Sequence, residues 1–270
     1  MEEKNEAERY WDRNVGASNL PGDGPIGAAG WPEEVAFYMT PEQEFAYRAL
    51  GELRGRLVLE IGSGVGVNAA NLARKGARVV ALDSSLPRLK ALKRLGSELG
   101  LAASLHPVCA RAEALPFREG AFDGAYSKAT LIHTDLHRAL EECRRVLHRG
   151  GRGVFCEPTT SNPFACIYRR LLGPREWRSI TRYFSKNEES EIAAVFGRVR
   201  GESFYFLSFL AFYWQFGRRN LKRFKRHLAA LFALDRLLFS IIPPLRRLAW
   251  FKVHVVEKTG AAGNDRSAEQ

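Results

Sequence analysis

Glu60, three glycines at alternate positions and Asp83 are the residues whose types and spacing point most directly to chemistry. They lie in VLEIGSGVGVNAANLA (58–73) and ARVVALD (77–83). An apolar run ending at Glu60 reads as a buried strand, after which Gly62, Gly64 and Gly66 turn the chain sharply into a helix. Glycine is needed where the backbone bends tightly and a ligand must reach the amides with no Cβ in the way. Amides that open a helix favour a negative group such as a carboxylate or phosphate. Asp83 closes the second apolar run, 17 residues after Gly66. A carboxylate at that strand end can accept hydrogen bonds from both hydroxyls of a ribose. Turn and acid together specify a nucleoside ligand. A dinucleotide fingerprint, GxGxxG, would require glycine at 62, 64 and 67. Position 67 is Val, and the pattern is ExGxGxG.

That pattern resembles motif I of the class I (Rossmann-like) S-adenosylmethionine-dependent methyltransferases. AEALPFREGAFDGAYSKATLIH (112–133) resembles the family's stretch from its third strand to the region after its fourth. ALEECRRVLHRGGRGVFCEP (139–158) resembles its helix, Gly-Gly turn and fifth strand. The likeness covers roughly residues 45–158, in order and in register. It implies a doubly wound, mostly parallel seven-stranded α/β sheet whose last two strands form an antiparallel edge pair. It implies S-adenosyl-L-methionine as cofactor and S-adenosyl-L-homocysteine as product.

The resemblance also assigns roles. The backbone at Gly62, Ser63, Gly64 and Gly66 holds the cofactor's amino-acid part, and Asp83, with Ser84 beside it, takes the ribose. Glu60 either reaches the turn or the methionine ammonium, or is a buried acid satisfying turn amides. Leu86 packs on the adenine face. Many relatives carry an acid before the Ala-Glu pair, aimed at the adenine amino group. Here that position is Arg111, which only donates. Adenine recognition then rests on the Ala112 amide, on Glu113 (equally readable as a helix-start residue), or on apolar packing. Ser127 and Lys128, after the fourth strand, border cofactor and substrate; Lys128 also reads as a solvated lysine. Tyr10 and Trp11 cap the cofactor from the N-terminal segment or simply pack.

Methyl transfer from a sulfonium asks for an in-line nucleophile about 3 Å away. An oxygen or carbon nucleophile of low acidity also asks for a base. His133, His137 and Glu157 are the catalytic candidates, each with a structural alternative. The [DN]PP[YF] segment typical of nucleobase-amine methylation is absent; SKAT stands in its place. Two other functions are open: a non-catalytic, membrane-associated cofactor-binding regulator, and an NAD-dependent oxidoreductase, which Val67 disfavours.

Elements able to position these groups follow from periodicity. Strands are predicted at 56–61, 77–83, 104–110, 122–127 and 152–157, and helices at 41–53, 67–75, 87–99 and 135–147. Strands alternating with helices over short connections imply a parallel, doubly wound sheet. After Glu157 a helix is expected at 186–196, strands at 199–207 and 251–257, and a helical insertion at 208–247 before the last strand. Domain organisation is read as an N-terminal cap (1–40), the methyltransferase domain (41–207 and 248–258), the insertion, and a disordered tail from 259 to 270.

The formal charge of +11 is unevenly placed. Residues 1–160 hold 21 Lys/Arg against 21 Asp/Glu, while 208–247 hold nine Lys/Arg against Asp235 alone. That insertion, aromatic as well as basic, reads in three ways. It is an interfacial helix pair on anionic lipid covering a greasy acceptor site, a cover for the sheet with solvated charges, or a nucleic-acid groove. Nucleic acid is the least favoured, and a small lipophilic acceptor the expected partner. No apolar run approaches the roughly 18 residues of a membrane span. The N-terminus, MEEKNEAER, does not read as a secretory signal. Cys109, Cys143, Cys156 and Cys166 show no metal-binding spacing and read as small core residues in a reducing compartment. The expected location is cytoplasmic, on the inner face of the membrane if the insertion docks there.

Overall fold

A computed structural model describes residues 4–15, 38–173, 175–218 and 220–259. Most of the expected N-terminal cap beyond residue 15 and nearly all of the expected tail lie outside the described residues. Helix α1 spans Glu6–Arg13 and α2 Pro41–Leu50. Then β1 (Leu57–Ile61), α3 (Val67–Arg74), β2 (Arg78–Asp83), α4 (Leu86–Glu98), β3 (Leu105–Cys109), β4 (Phe122–Lys128), α5 (Leu136–Val146) and β5 (Leu147–Pro158) alternate. The remaining elements are α6 (Pro163–Leu171), the single turn α7 (Trp177–Ile180), α8 (Lys186–Phe196), β6 (Val199–Phe204), α9 (Leu221–Ile241) and β7 (Phe251–Glu257).

The seven strands form one sheet in the order β3-β2-β1-β4-β5-β7-β6. Only β7 runs antiparallel to its neighbours, pairing Phe155 with His254 on one side and Gly201 with His254 on the other. Both faces are covered, as a parallel sheet requires. Along β1 the side chains alternate. Val58 faces a core with Tyr47, Leu72 and Tyr126, while Leu59 and Ile61 face one with Leu140, Phe155 and Ile192. The strand order reverses between β1 and β4. In doubly wound sheets the crevice at that switch point is where ligands bind.

Three expectations need correction. The strand expected to reach Leu207 stops at Phe204, because Tyr205 takes a left-handed conformation (φ 67°) that turns the chain off the sheet. Helices α1, α6 and α7 were not anticipated, since their apolar faces pack on distant segments rather than showing a long periodic stripe. Of the four cysteines, only Cys143 and Cys156 are core residues; Cys109 and Cys166 are exposed.

The insertion is anchored by its one acid. Asp235 of α9 is fully buried and accepts from the amides of Phe206, Leu207 and Ser208 at 2.8–3.1 Å and from the Ser208 hydroxyl at 2.5 Å. Asn162 ties the same turn to the rest of the fold, donating to the carbonyls of Tyr205, Phe206 and Leu248. Hydrogen bonds to a charged group are worth about 1.5–3 kcal/mol each, and stranded buried donors cost a similar amount. Asp235→Ala is therefore expected to lower stability by about 3 kcal/mol or more, read from the urea midpoint. A loss below about 1 kcal/mol would show that the turn holds without this carboxylate.

Candidate active site

All three glycines after β1 have positive φ: 71° at Gly62, 54° at Gly64 and 94° at Gly66. They serve different ends. A Cβ on Gly62 would lie 2.1 Å from the Thr130 side chain, so the first glycine lets the loop after β4 close onto the turn. Gly66 caps α3 in the left-handed region, and a Cβ there would meet Leu92 at 2.5 Å. Gly66 thus packs against α4 and is not part of the cavity wall; Gly62, Ser63 and Gly64 are.

Asp83 ends β2 beside this turn, 6% exposed. Its two oxygens accept from the amides of Gly64 (2.8 Å) and Ser85 (2.9 Å). An ionised carboxylate has about four acceptor positions, so two remain for a ligand. Asp83 and Ser84 both line a cavity of about 800 Å³ that runs past the turn into the region covered by the insertion.

Helix α1 covers one end of this cavity. Arg111 forms a two-point pair with Glu8, Nε to Oε1 at 2.7 Å and Nη2 to Oε2 at 2.9 Å. The basic residue where relatives carry an acid thus draws a carboxylate in from the N-terminal helix. Trp11 lines the cavity, with the Arg88 guanidinium 4.5 Å from its ring centre. Tyr10 does not; it lies behind, its hydroxyl accepting from Trp177 Nε1 at 3.0 Å. Ala112 and Glu113 are in the wall, and Glu113 also accepts from the Asp135 amide. Leu86 is displaced from its expected place: it opens α4, is half exposed and lies outside the cavity.

Glu60 is also outside the wall. It is buried beneath the turn, hydrogen-bonded by Asn68 and by the Ala69 backbone. Burial, with Asp83 nearby, raises its carboxyl to about 8 against those bonds. These partners belong to α3 and not to the turn amides, and its Oε2 has no hydrogen-bond partner among the described residues.

The three catalytic candidates separate. His137 is exposed on α5, 3.4 Å from Glu141, far from any enclosed chemistry. Glu157 is fully buried and absent from the wall. Its Oε1 accepts from Ser127 Oγ (3.1 Å) and from the amides of Thr130 (3.3 Å) and Leu131 (3.2 Å). Burial pushes its carboxyl up to about 7, opposed by these bonds. Glu157 and Ser127 are thus outside the wall, and Glu157 holds the loop after β4. His133, carried by that loop, does line the cavity. Its Nδ1 is 2.6 Å from the Ile180 carbonyl, which can only accept, so Nδ1 holds the proton and Nε2 the lone pair. Burial holds its pKa down at about 4, so the ring is neutral and weakly basic.

The far end of the cavity is built by Glu42, Arg169, Tyr183, Trp250 and Phe251, which local sequence signals did not single out, together with Tyr205, Phe209 and Phe212, whose aromatic character in and just before the insertion fits the greasy acceptor site expected there. Lys128, between the turn and this end, is in the wall and only partly exposed: it pairs with buried Glu42 at 2.8 Å. Arg88, also unanticipated, is half-buried beside Trp11.

Residues 59–155 match the methyltransferase domain family. A sarcosine/dimethylglycine N-methyltransferase of Halorhodospira halochloris is 35% identical over 103 residues, 37% of each chain. A demethylmenaquinone methyltransferase of Mycolicibacterium paratuberculosis is 34% identical over 147 residues, 53% of this chain and 60% of that protein. The matches thus span from about a third to three fifths of these relatives' length. The geranyl diphosphate C-methyltransferase from Streptomyces coelicolor, solved with Mg2+, geranyl diphosphate and S-adenosyl-L-homocysteine, has a TM-score of 0.61 at 19% identity. That superposition covers 94% of this chain and 96% of that one. Residues 59–155 are thus similar in sequence to a methyltransferase domain, and the chain as a whole has the fold of the class I methyltransferases it superposes on.

Proposed function

We propose that the protein transfers a methyl group from S-adenosyl-L-methionine to an oxygen or carbon of a small lipophilic acceptor. The observation that carries this reading is a single cavity joining the Gly62–Gly64 turn and Asp83 to an aromatic chamber. The cofactor end fits a nucleoside bearing an amino acid. Asp83 keeps two acceptor positions for ribose hydroxyls. Ser63 Oγ is buried in the wall with no hydrogen-bond partner among the described residues, as expected of a group that a ligand satisfies. Trp11 and the Glu8–Arg111 pair close the adenine side, where the Ala112 amide and the Glu8 carboxylate can meet the base edge. The cofactor supplies an already activated methyl group. The chain's part is to hold the acceptor in line at about 3 Å and keep water out.

The acceptor end supports a greasy molecule. Phe209, Phe212, Trp250 and Phe251 are in its wall. The relatives named for demethylmenaquinone and geranyl diphosphate point the same way; the one named for sarcosine and dimethylglycine does not. Calorimetry is the test. S-adenosyl-L-homocysteine should bind and NAD should not. Asp83→Ala strands two ribose hydroxyls and removes bonds of about 1.5–3 kcal/mol each, so affinity should fall at least about tenfold. Binding of NAD alone would end the reading. Homocysteine-nucleoside binding without turnover on any quinol, phenol or enol acceptor would favour the non-catalytic regulator.

We further propose that the cavity opens onto an anionic membrane surface. Leu172, Leu210 and Tyr213 are both exposed and in the cavity wall, which places them at its mouth. Ile167 and Leu171 of α6 extend this apolar rim. Lys222, Arg223, Lys225 and Arg226 are exposed on α9. Attraction to an anionic leaflet is about 1 kcal/mol per basic residue near it. No helix among the described residues is long and apolar enough to cross a membrane, so contact would be peripheral. The protein should float with vesicles containing anionic phospholipid and not with neutral ones. Replacing those four basic residues by Gln should abolish flotation while leaving cofactor affinity intact. Indifference of the wild-type protein to anionic vesicles would remove the membrane from the account and leave a dissolved acceptor.

A further inference from the structure

The aromatic chamber contains one buried charge pair whose placement suggests what the acceptor carries. Lys128 closes β4, the strand beside β1, and its ammonium donates to Glu42 Oε1 at 2.8 Å. The Tyr205 hydroxyl donates to the other Glu42 oxygen. The Glu42 side chain is 3% exposed and that of Lys128 23%, and all three residues are in the cavity wall. The pair sits next to the cofactor turn. The Thr130 hydroxyl is 3.2 Å from the Lys128 carbonyl and 3.3 Å from that of Gly62.

Burying two charges is costly, and a pair of this kind is weak evidence for stability. An ammonium has three N–H donors. Among the described residues Glu42 is its hydrogen-bond partner, and the Phe251 ring is 6.0 Å away. Two donors are left at the chamber wall, where the other cation, Arg169, is held by the Thr159 carbonyl and stacked on Tyr183. The same chamber offers poor bases. Of its carboxylates, Glu42 is held by Lys128 and Tyr205, Glu8 by Arg111, Asp83 by two amides and Glu113 by the Asp135 amide. His133 is neutral with a depressed basicity. An acceptor here has to arrive ionised or be helped to ionise by a cation.

We infer that Lys128 holds an ionised oxygen of the acceptor, which is therefore a lipophilic phenol or enol. This rests on the methyltransferase reading above and narrows its substrate class. The acceptor's O–H proton leaves to solvent on binding. The electron pair of that oxygen, or of the carbon conjugated with it, forms the new bond to the methyl group as the methyl–sulfur bond breaks; where a phenol reacts at carbon, the ring C–H proton then leaves to solvent and the oxygen is reprotonated from solvent as the aromatic ring is restored. The broken bond's pair stays on sulfur, so one negative and one positive charge disappear together. Glu42 is a positioning residue: it fixes where the ammonium points.

The probe is 1-naphthol, whose ionisation is visible in its absorbance, added to protein saturated with S-adenosyl-L-homocysteine. An opposite charge within about 4–6 Å lowers an acid's pKa by about 1–3 units. Bound naphthol should ionise at least about one pH unit lower in the wild-type protein than in Lys128→Met, while 1-methoxynaphthalene should bind both alike. Lys128→Met leaves Glu42 unpaired, so the double variant Glu42→Gln/Lys128→Met, which buries no lone charge, serves if the single variant is unfolded by circular dichroism. Equal ionisation in the wild-type and double-variant proteins, or no binding of naphthol to wild-type protein that binds S-adenosyl-L-homocysteine, overturns the inference. Failure of S-adenosyl-L-homocysteine itself to bind overturns the underlying methyltransferase reading instead.

Discussion

The contact on which the site depends is the closure of the loop after β4 onto the turn after β1. Two parallel neighbours, β1 and β4, send their chains away in opposite directions, leaving a gap at their carboxyl ends. The gap becomes a binding site only if its two lips approach without filling it. Gly62 permits this, since a methyl group there would overlap Thr130. Glu157 enforces it from below, drawing in the amides of Thr130 and Leu131. From this one approach follow the positions of His133 in the wall, Lys128 at the junction of the two chambers, and the turn amides beside Asp83.

Buried acids recur as the means of holding irregular backbone. Asp83, Glu157 and Asp235 each collect amides from a turn that no helix or strand would satisfy. A buried amide without a partner costs as much as a lost hydrogen bond, and a carboxylate can take several at once. Glu42 differs. Its partners are a lysine and a tyrosine hydroxyl, and burial, which alone would raise its pKa, is outweighed by Lys128 so that its carboxyl stays below the ordinary range. It is a charge kept in an apolar chamber rather than a clamp on a loop.

Much of the fold was legible in the sequence because its signals are local. β1 runs into a glycine turn and β2 ends on an acid, and β7 and α8 are observed at the bounds predicted for them. The turn side of the cavity was legible for the same reason: Gly62, Ser63, Gly64, Asp83 and Ser84 fall within two short turns. On the other side the aromatic residues were legible by type, and the charged residues among them were not. Glu42 reads as an ordinary acid in the first turn of a helix, and nothing near it in sequence reveals that Tyr205, 163 residues on, is its partner. Arg111 read as a departure from the family pattern, because its partner Glu8 lies 103 residues away on a helix too short to show a periodic stripe. His137 and Glu157 were suggested by residue type at plausible strand and helix ends. Which way each side chain faces is decided by packing, and packing sends one to solvent and the other under a loop.

The central claim is that one nucleoside site and one aromatic chamber share the cavity at the β1–β4 switch point. A crystal structure of the protein with S-adenosyl-L-homocysteine tests it most directly. The account predicts ribose hydroxyls within hydrogen-bond distance of Asp83, the homocysteine portion against Gly62–Gly64, and its sulfur facing the chamber that holds Lys128. A nucleoside bound elsewhere, or a sulfur turned away from that chamber, would contradict it.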